Sequence, residues 1–107
     1  MEKLSAADIR ADVAGRLRIA RKSIGFRTAR SFAKKLGIDE NSYTPYERGK
    51  AIPPPVLLAK VKHLTGVTMD WLFFGDTSGL TLKVHEALQK AEMAKKEKQP
   101  NPKRHPT

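Results

Sequence analysis

Residues 28–49 read TARSFAKKLGIDENSYTPYERG, two short helical patterns joined at a glycine. Thr28 is placed to cap the first, because its side-chain oxygen can accept from the unpaired amides of a helix start. Phe32, Ala33 and Leu36 fall on one side of that helix and Arg30, Lys34 and Lys35 on the other, which predicts one buried and one solvated face. Gly37 stops the helix, and Leu36-Gly37-Ile38 makes a tight turn. Asp39 then offers a carboxylate to a further helix start, and Tyr43 and Tyr46, three apart, lie on the side that returns to a core. Arg48-Gly49-Lys50 closes the segment.

The flanking sequence supplies the helices that such a pair needs to pack against. Asp8 to Ser23 carries Ile9, Val13, Leu17, Ala20 and Ile24 at spacings of three and four, with Arg10, Arg16, Arg18, Arg21 and Lys22 on the opposite face and Gly25 at its end. After the turn-helix segment, Pro53-Pro54-Pro55 cannot continue a helix but can open one. A fourth helix is expected from about Pro54 to Leu64, with Leu57, Leu58, Val61 and Leu64 inward and Gly66 at its end. A fifth starts at Thr68 or Met69, where Trp71, Leu72 and one of Phe73 and Phe74 can cover the open end of the bundle before Gly75. The chain is therefore expected to be all-α, with five short helices around one core.

A sixth periodic stretch, Leu80 to Lys96, carries Leu80, Val84, Ala87, Leu88 and Ala91 in a stripe among Lys and Glu. It has no evident partner inside a five-helix unit. Three outcomes are open: packing on the domain, pairing with a second copy, or partial formation, since a helix of this length is marginal in water alone. The last ten residues, with three prolines and no bulky apolar side chain, are expected to be disordered. The organisation expected is a domain over 1–78, an amphipathic helix over 79–97 and a basic tail over 98–107.

At 107 residues the chain has room for one modest core. It has no cysteine, which removes disulfides and thiolate metal sites and fits a cytoplasmic protein. Leu64 to Phe74, the longest nearly uncharged stretch, is far shorter than a bilayer span, and no apolar signal core opens the chain. Twenty-one Lys and Arg against eleven Asp and Glu give a formal charge of +10, which attracts polyanions over about 8–10 Å at physiological salt. Solubility alone accounts for many such surpluses, but here position matters: Arg10 to Lys35 holds nine basic residues and one acid, Asp12.

Other chemistry finds little support. His63, His85 and His105 lie on separate elements with no second ligand at metal spacing. Ser23, Ser31 and Ser42 stand without a plausible histidine and acid, no Gly-rich phosphate loop occurs, and Asp39-Glu40 is better explained as helix-start charge than as an acid–base pair. No enzyme activity, cofactor or metal is expected.

Taken together, the Arg-Leu opening of helix one, Phe-Ala-x-x-Leu-Gly-Ile at the turn, Tyr-Glu-Arg-Gly ending helix three and Gly-Val-x-x-Asp-Trp-Leu at the close resemble the Cro-like, lambda-repressor-like (XRE-type) helix-turn-helix regulators of bacteria and phage. The resemblance covers roughly Arg16 to Asp76, about sixty residues. It implies a five-helix DNA-binding domain whose third helix enters the major groove, where a helix about 10–12 Å across fits. Carried over by position, Glu40, Asn41, Thr44 and Pro45 match base-facing sites, and Asn41 can make the bidentate contact to adenine N6 and N7. Glu40 has two readings: acceptor from cytosine N4, or helix-start charge that touches no base.

Arg27, Thr28, Ala29, Arg30 and Lys50 match places where relatives hold the DNA backbone, helped by the free amides of helix two. Arg21 and Glu47 match a structural pair tying helix one to helix three. The resemblance further implies a homodimer on half-sites about 10 base pairs apart and a repressor or autoregulator role. The alternative keeps the fold but makes the chain an adaptor or antitoxin that holds a protein partner through Leu80 to Lys96.

Two departures stand out. Ala29 replaces a glutamine that in many relatives touches DNA, with one extra residue before it. Pro45 falls inside the expected third helix, where it removes an amide, collides with the Asn41 carbonyl and costs about 3 kcal/mol. A kink or break is one expectation. The other is that Thr44-Pro45-Tyr46-Glu47 forms its own capping box and splits the helix in two.

Overall fold

A computed structural model describes residues 5–98. Among the described residues there are six helices, α1 (Ala6–Ser23), α2 (Ala29–Leu36), α3 (Glu40–Glu47), α4 (Pro55–Thr65), α5 (Met69–Phe74) and α6 (Leu82–Lys98), and no strand. The expected tail beyond Lys98 lies outside them.

α1 is the central post. Ser5 caps it by accepting from the Asp8 amide at 3.1 Å, which satisfies one of the free donors of the first turn. Val13, Leu17 and Ala20 are buried along it, as their spacing predicts, together with Ala14 and Ile19. Two positions depart from the periodic pattern. Ile24 is 36 % exposed because the helix ends at Ser23 and the chain turns away there. Arg21, drawn on the basic outer face by periodicity, is buried.

α3, α5 and α6 all pack on α1, and α2 is held between α3 and α4. Phe32 of α2 meets Tyr43 of α3 edge to face, with ring centroids 5.8 Å apart, a favourable aromatic geometry. The fifth helix closes one end of the bundle through Trp71 and Leu72, with Phe73 half-buried and Phe74 left 64 % exposed. Arg16 of α1 donates to the Leu72 carbonyl at 3.2 Å, tying that end of α5 back to the post.

Of the three outcomes open for the sixth helix, the chain adopts packing on its own domain. α6 begins two residues later than the stripe, after Leu80 in the preceding turn, and Thr81 accepts from the Val84 amide at 3.2 Å. Leu88 is buried in the common core, and Leu80, Val84 and Ala91 pack against it. The α4–α5 turn must come close for this to happen. At Gly66 (φ +84°) a Cβ would stand 2.7 Å from Val84 Cγ2, so both the backbone conformation and the contact require glycine. Leu88 of the stripe is thus taken up by the chain's own core, and Leu80, Val84 and Ala91 are partly buried against it.

Candidate nucleic-acid interface

The geometry of the α2–α3 pair follows from its caps. Thr28 Oγ1 accepts from the Ser31 amide at 3.1 Å, and Asp39 Oδ2 from the Asn41 amide at 2.9 Å. Between the helices Gly37 takes the left-handed conformation (φ 80°), and its amide and that of Ile38 return to carbonyls of α2, the closure expected of a glycine-terminated helix. The tight turn and both start signals are therefore where the sequence places them.

Pro45 neither breaks nor splits α3, which runs as one helix from Glu40 to Glu47. The proposed capping box does not form, because both of its side chains are engaged elsewhere. Thr44 Oγ1 donates back to the Glu40 carbonyl at 2.8 Å, and the Glu47 carboxylate is bound by Arg21 and Tyr43. The end of the helix is held instead by amides and a cation. Arg48 donates to the Thr44 carbonyl and Lys50 to the Pro45 carbonyl at 3.1 and 3.0 Å, while Arg18 of α1 donates to the Glu47 carbonyl. α3 has no basic residue in its own last turn, so Arg18 supplies the positive charge that favours a helix C-terminus.

Beneath this surface lies the pair that fixes its angle. Arg21 Nε and Nη2 donate to the two Glu47 carboxylate oxygens at 2.8 and 3.1 Å, and Arg21 Nη1 donates to the Phe26 carbonyl at 3.0 Å. Tyr43 Oη donates to Glu47 Oε2 at 2.5 Å. Burial first, and then the adjoining carboxylate, push the Tyr43 phenol far above its ordinary range, so it stays protonated as the donor. Side chains from α1 and α3 thus converge on one carboxylate, and the same arginine reaches the α1–α2 connection.

Glu40, Asn41, Thr44 and Pro45, the four positions matched to base-facing sites, all line one concavity of about 570 Å³ with Ala29 and Lys50. Asn41 and Pro45, four apart, are stacked on one helix face. With its amide hydrogen used in the cap, Asn41 keeps its side-chain carboxamide exposed and without a partner among the described residues. Arg27, Thr28 and Arg30 do not line the concavity; all three are exposed around the start of α2. Thr28 spends its hydroxyl within the chain, donating to Ser31 Oγ at 3.0 Å.

Two residues that the sequence reading did not place in the site, Arg18 and Arg48, line the same wall. Arg48 is visible in the sequence as part of the Tyr-Glu-Arg-Gly ending. Nothing local marks Arg18, which comes to the site only through the packing of α1 on α3. His63 and His85 sit apart on α4 and α6, and His105 lies outside the described residues. No helix among the described residues is long and apolar enough to cross a membrane.

The family model described as Helix-turn-helix matches residues 17–72. No curated protein and no solved structure matches the chain. The matched stretch is just over half of the chain and takes in α2, its turn, α3, α4 and the parts of α1 and α5 that bury Leu17 and Leu72. The chain therefore belongs to the Cro-like, lambda-repressor-like helix-turn-helix family and is a regulator that binds double-stranded DNA.

Proposed function

We propose that this chain is a sequence-specific, cytoplasmic repressor or autoregulator that reads the major groove with α3. The observation that carries the proposal is the grouping of Glu40, Asn41, Thr44 and Pro45 on one accessible wall, rimmed by Arg18, Arg48 and Lys50. In this reading Asn41 pairs with adenine, worth about 1–3 kcal/mol of discrimination. Arg27, Arg30 and Lys50 hold phosphates, and the backbone amides of Thr28 and Ala29 face the same strand at the start of α2. Occupation of an operator overlapping a promoter represses by occlusion.

A single domain reaches only a few base pairs, so the functional species is a homodimer on two half-sites. The dimer contact is assigned to α5 or α6, where Phe74 at the end of α5 and Leu82 and Met93 on α6 are 64 %, 71 % and 61 % exposed. Sedimentation of the free protein and of its DNA complex checks this; a monomer in both states removes the dimer.

The deciding experiment is selection from a random duplex library at two salt concentrations with wild type and Asn41→Ala. A two-fold symmetric motif, relaxed at the adenine in the variant, is the expected result. Enrichment of nothing, with binding erased by modest salt, defeats sequence reading.

A further inference from the structure

Ala29 and Pro45 lie on different helices, and folding sets them on the wall of the same concavity. Both are half-buried. Neither side chain carries a polar atom, and Pro45 also lacks an amide hydrogen. Thr44 lines the same concavity with its hydroxyl hydrogen spent on the Glu40 carbonyl at 2.8 Å, so toward a ligand it offers a methyl and an acceptor oxygen but no donor. One turn before Pro45 on the same face is the unpartnered carboxamide of Asn41.

Within a concavity otherwise lined by charged and polar side chains, an apolar patch adjoining an amide has a narrow set of complements in the major groove. The thymine C5-methyl is the apolar group among the base-edge features there, and an amide pairs bidentately with adenine. A proline ring and an alanine are rigid, so covering a methyl with them orders no side chain and loses none of the gain to entropy. We propose that Ala29, Thr44 and Pro45 form a thymine-methyl pocket that works with Asn41 to select an A·T-containing step. This inference rests on the groove-reading function proposed above and names the base chemistry read there.

The experiment uses the full chain and two random duplex libraries, one built with thymine and one with uracil, which differ only in that methyl. Wild type is expected to select thymine at fixed positions beside an adenine, and to lose that preference in the uracil library. Affinity for a uracil copy of the selected site should fall about fourfold for each methyl covered. Ala29→Ser and Pro45→Ala should bring the thymine-to-uracil affinity ratio toward one; because each ratio is measured on one protein, a change in folding stability cancels. The same motif with equal affinity from both libraries, or a motif of G·C pairs alone, overturns the pocket and leaves sequence reading intact. No motif from either library, with binding abolished at modest salt, overturns the groove-reading function and this inference with it.

Discussion

Arg21 and Glu47 form a buried bidentate ion pair, 2.8 and 3.1 Å long, between the central post and the third helix. The pair anchors the end of the helix that carries Asn41, because Glu47 is the last residue of α3. Removing one partner leaves a charge buried without compensation, whereas removing both for apolar groups of similar volume does not. Glu47→Ala is therefore expected to cost about 3–5 kcal/mol in urea unfolding, and Arg21→Met with Glu47→Leu to recover much of that. Tyr43→Phe, which removes one hydrogen bond to the carboxylate, should cost about 1.5–3 kcal/mol. Additive losses in the double variant would show that the pair is not the coupling element.

Pro45 trades stability for the shape of the wall. It sits inside a continuous helix, so Asn41's carbonyl lacks the amide that any other residue would bring. Pro45→Ala is expected to raise unfolding free energy by about 1–3 kcal/mol while weakening discrimination between thymine and uracil. A denaturation midpoint at or below that of wild type would mean that the surrounding structure already relieves the strain.

α6 should unfold with the rest of the domain rather than before it. Leu88→Ala opens a cavity in the common core and is expected to cost about 2–5 kcal/mol. Gly66→Ala meets Val84 and forces a left-handed alanine. Its penalty should shrink but not vanish when Val84 is also changed to Ala, since only the collision is relieved. Hydrogen exchange resolves the question directly: protection in α6 far weaker than in α1 would make it a loosely docked appendage.

Charge and base reading should separate cleanly in DNA titrations. Arg30→Ala and Lys50→Ala, both at exposed positions, are each expected to reduce the slope of log affinity against log salt by about 0.9 for every phosphate no longer neutralised. Asn41→Ala should leave that slope unchanged and flatten preference at one base pair. Identical salt slopes in all three proteins would remove Arg30 and Lys50 from the phosphate set.

Arg18 acts on the third helix from the post, through the Glu47 carbonyl. Loss of that cation in Arg18→Ala is expected to cost about 0.3–2 kcal/mol of stability, with Arg18→Lys restoring part of it. Unchanged melting in Arg18→Ala would show that the Arg48 and Lys50 amides hold the helix end unaided.

Much of this molecule follows from short-range rules acting on the chain. Thr28, Asp39 and Thr68 announce helix starts because their side chains can serve amides two or three residues on, and each does so. Gly37 and Gly66 announce ends because left-handed backbone suits them. Spacings of three and four placed Leu17, Phe32, Leu36, Leu57 and Val61 in the core. Where local pattern failed, the cause was an end or a distant partner: Ile24 kept the period but lay past the last turn of α1, and Arg21 broke it because its counter-charge is on another helix.

The sequence by itself determined the first five helices, the caps at Thr28, Asp39 and Thr68, and the turn between the second and third, because these depend on neighbours within four residues. Tertiary structure alone decided the rest. α6 docks because the α4–α5 turn can approach Val84 without a Cβ between them. α3 remains whole through Pro45 because Thr44 and Glu47, the residues that would have split it, find partners in Glu40, Arg21 and Tyr43. Ala29, Pro45 and Arg18, drawn from three helices, share one wall for the same reason: which side chains meet is set by packing, and no spacing along a single helix encodes it.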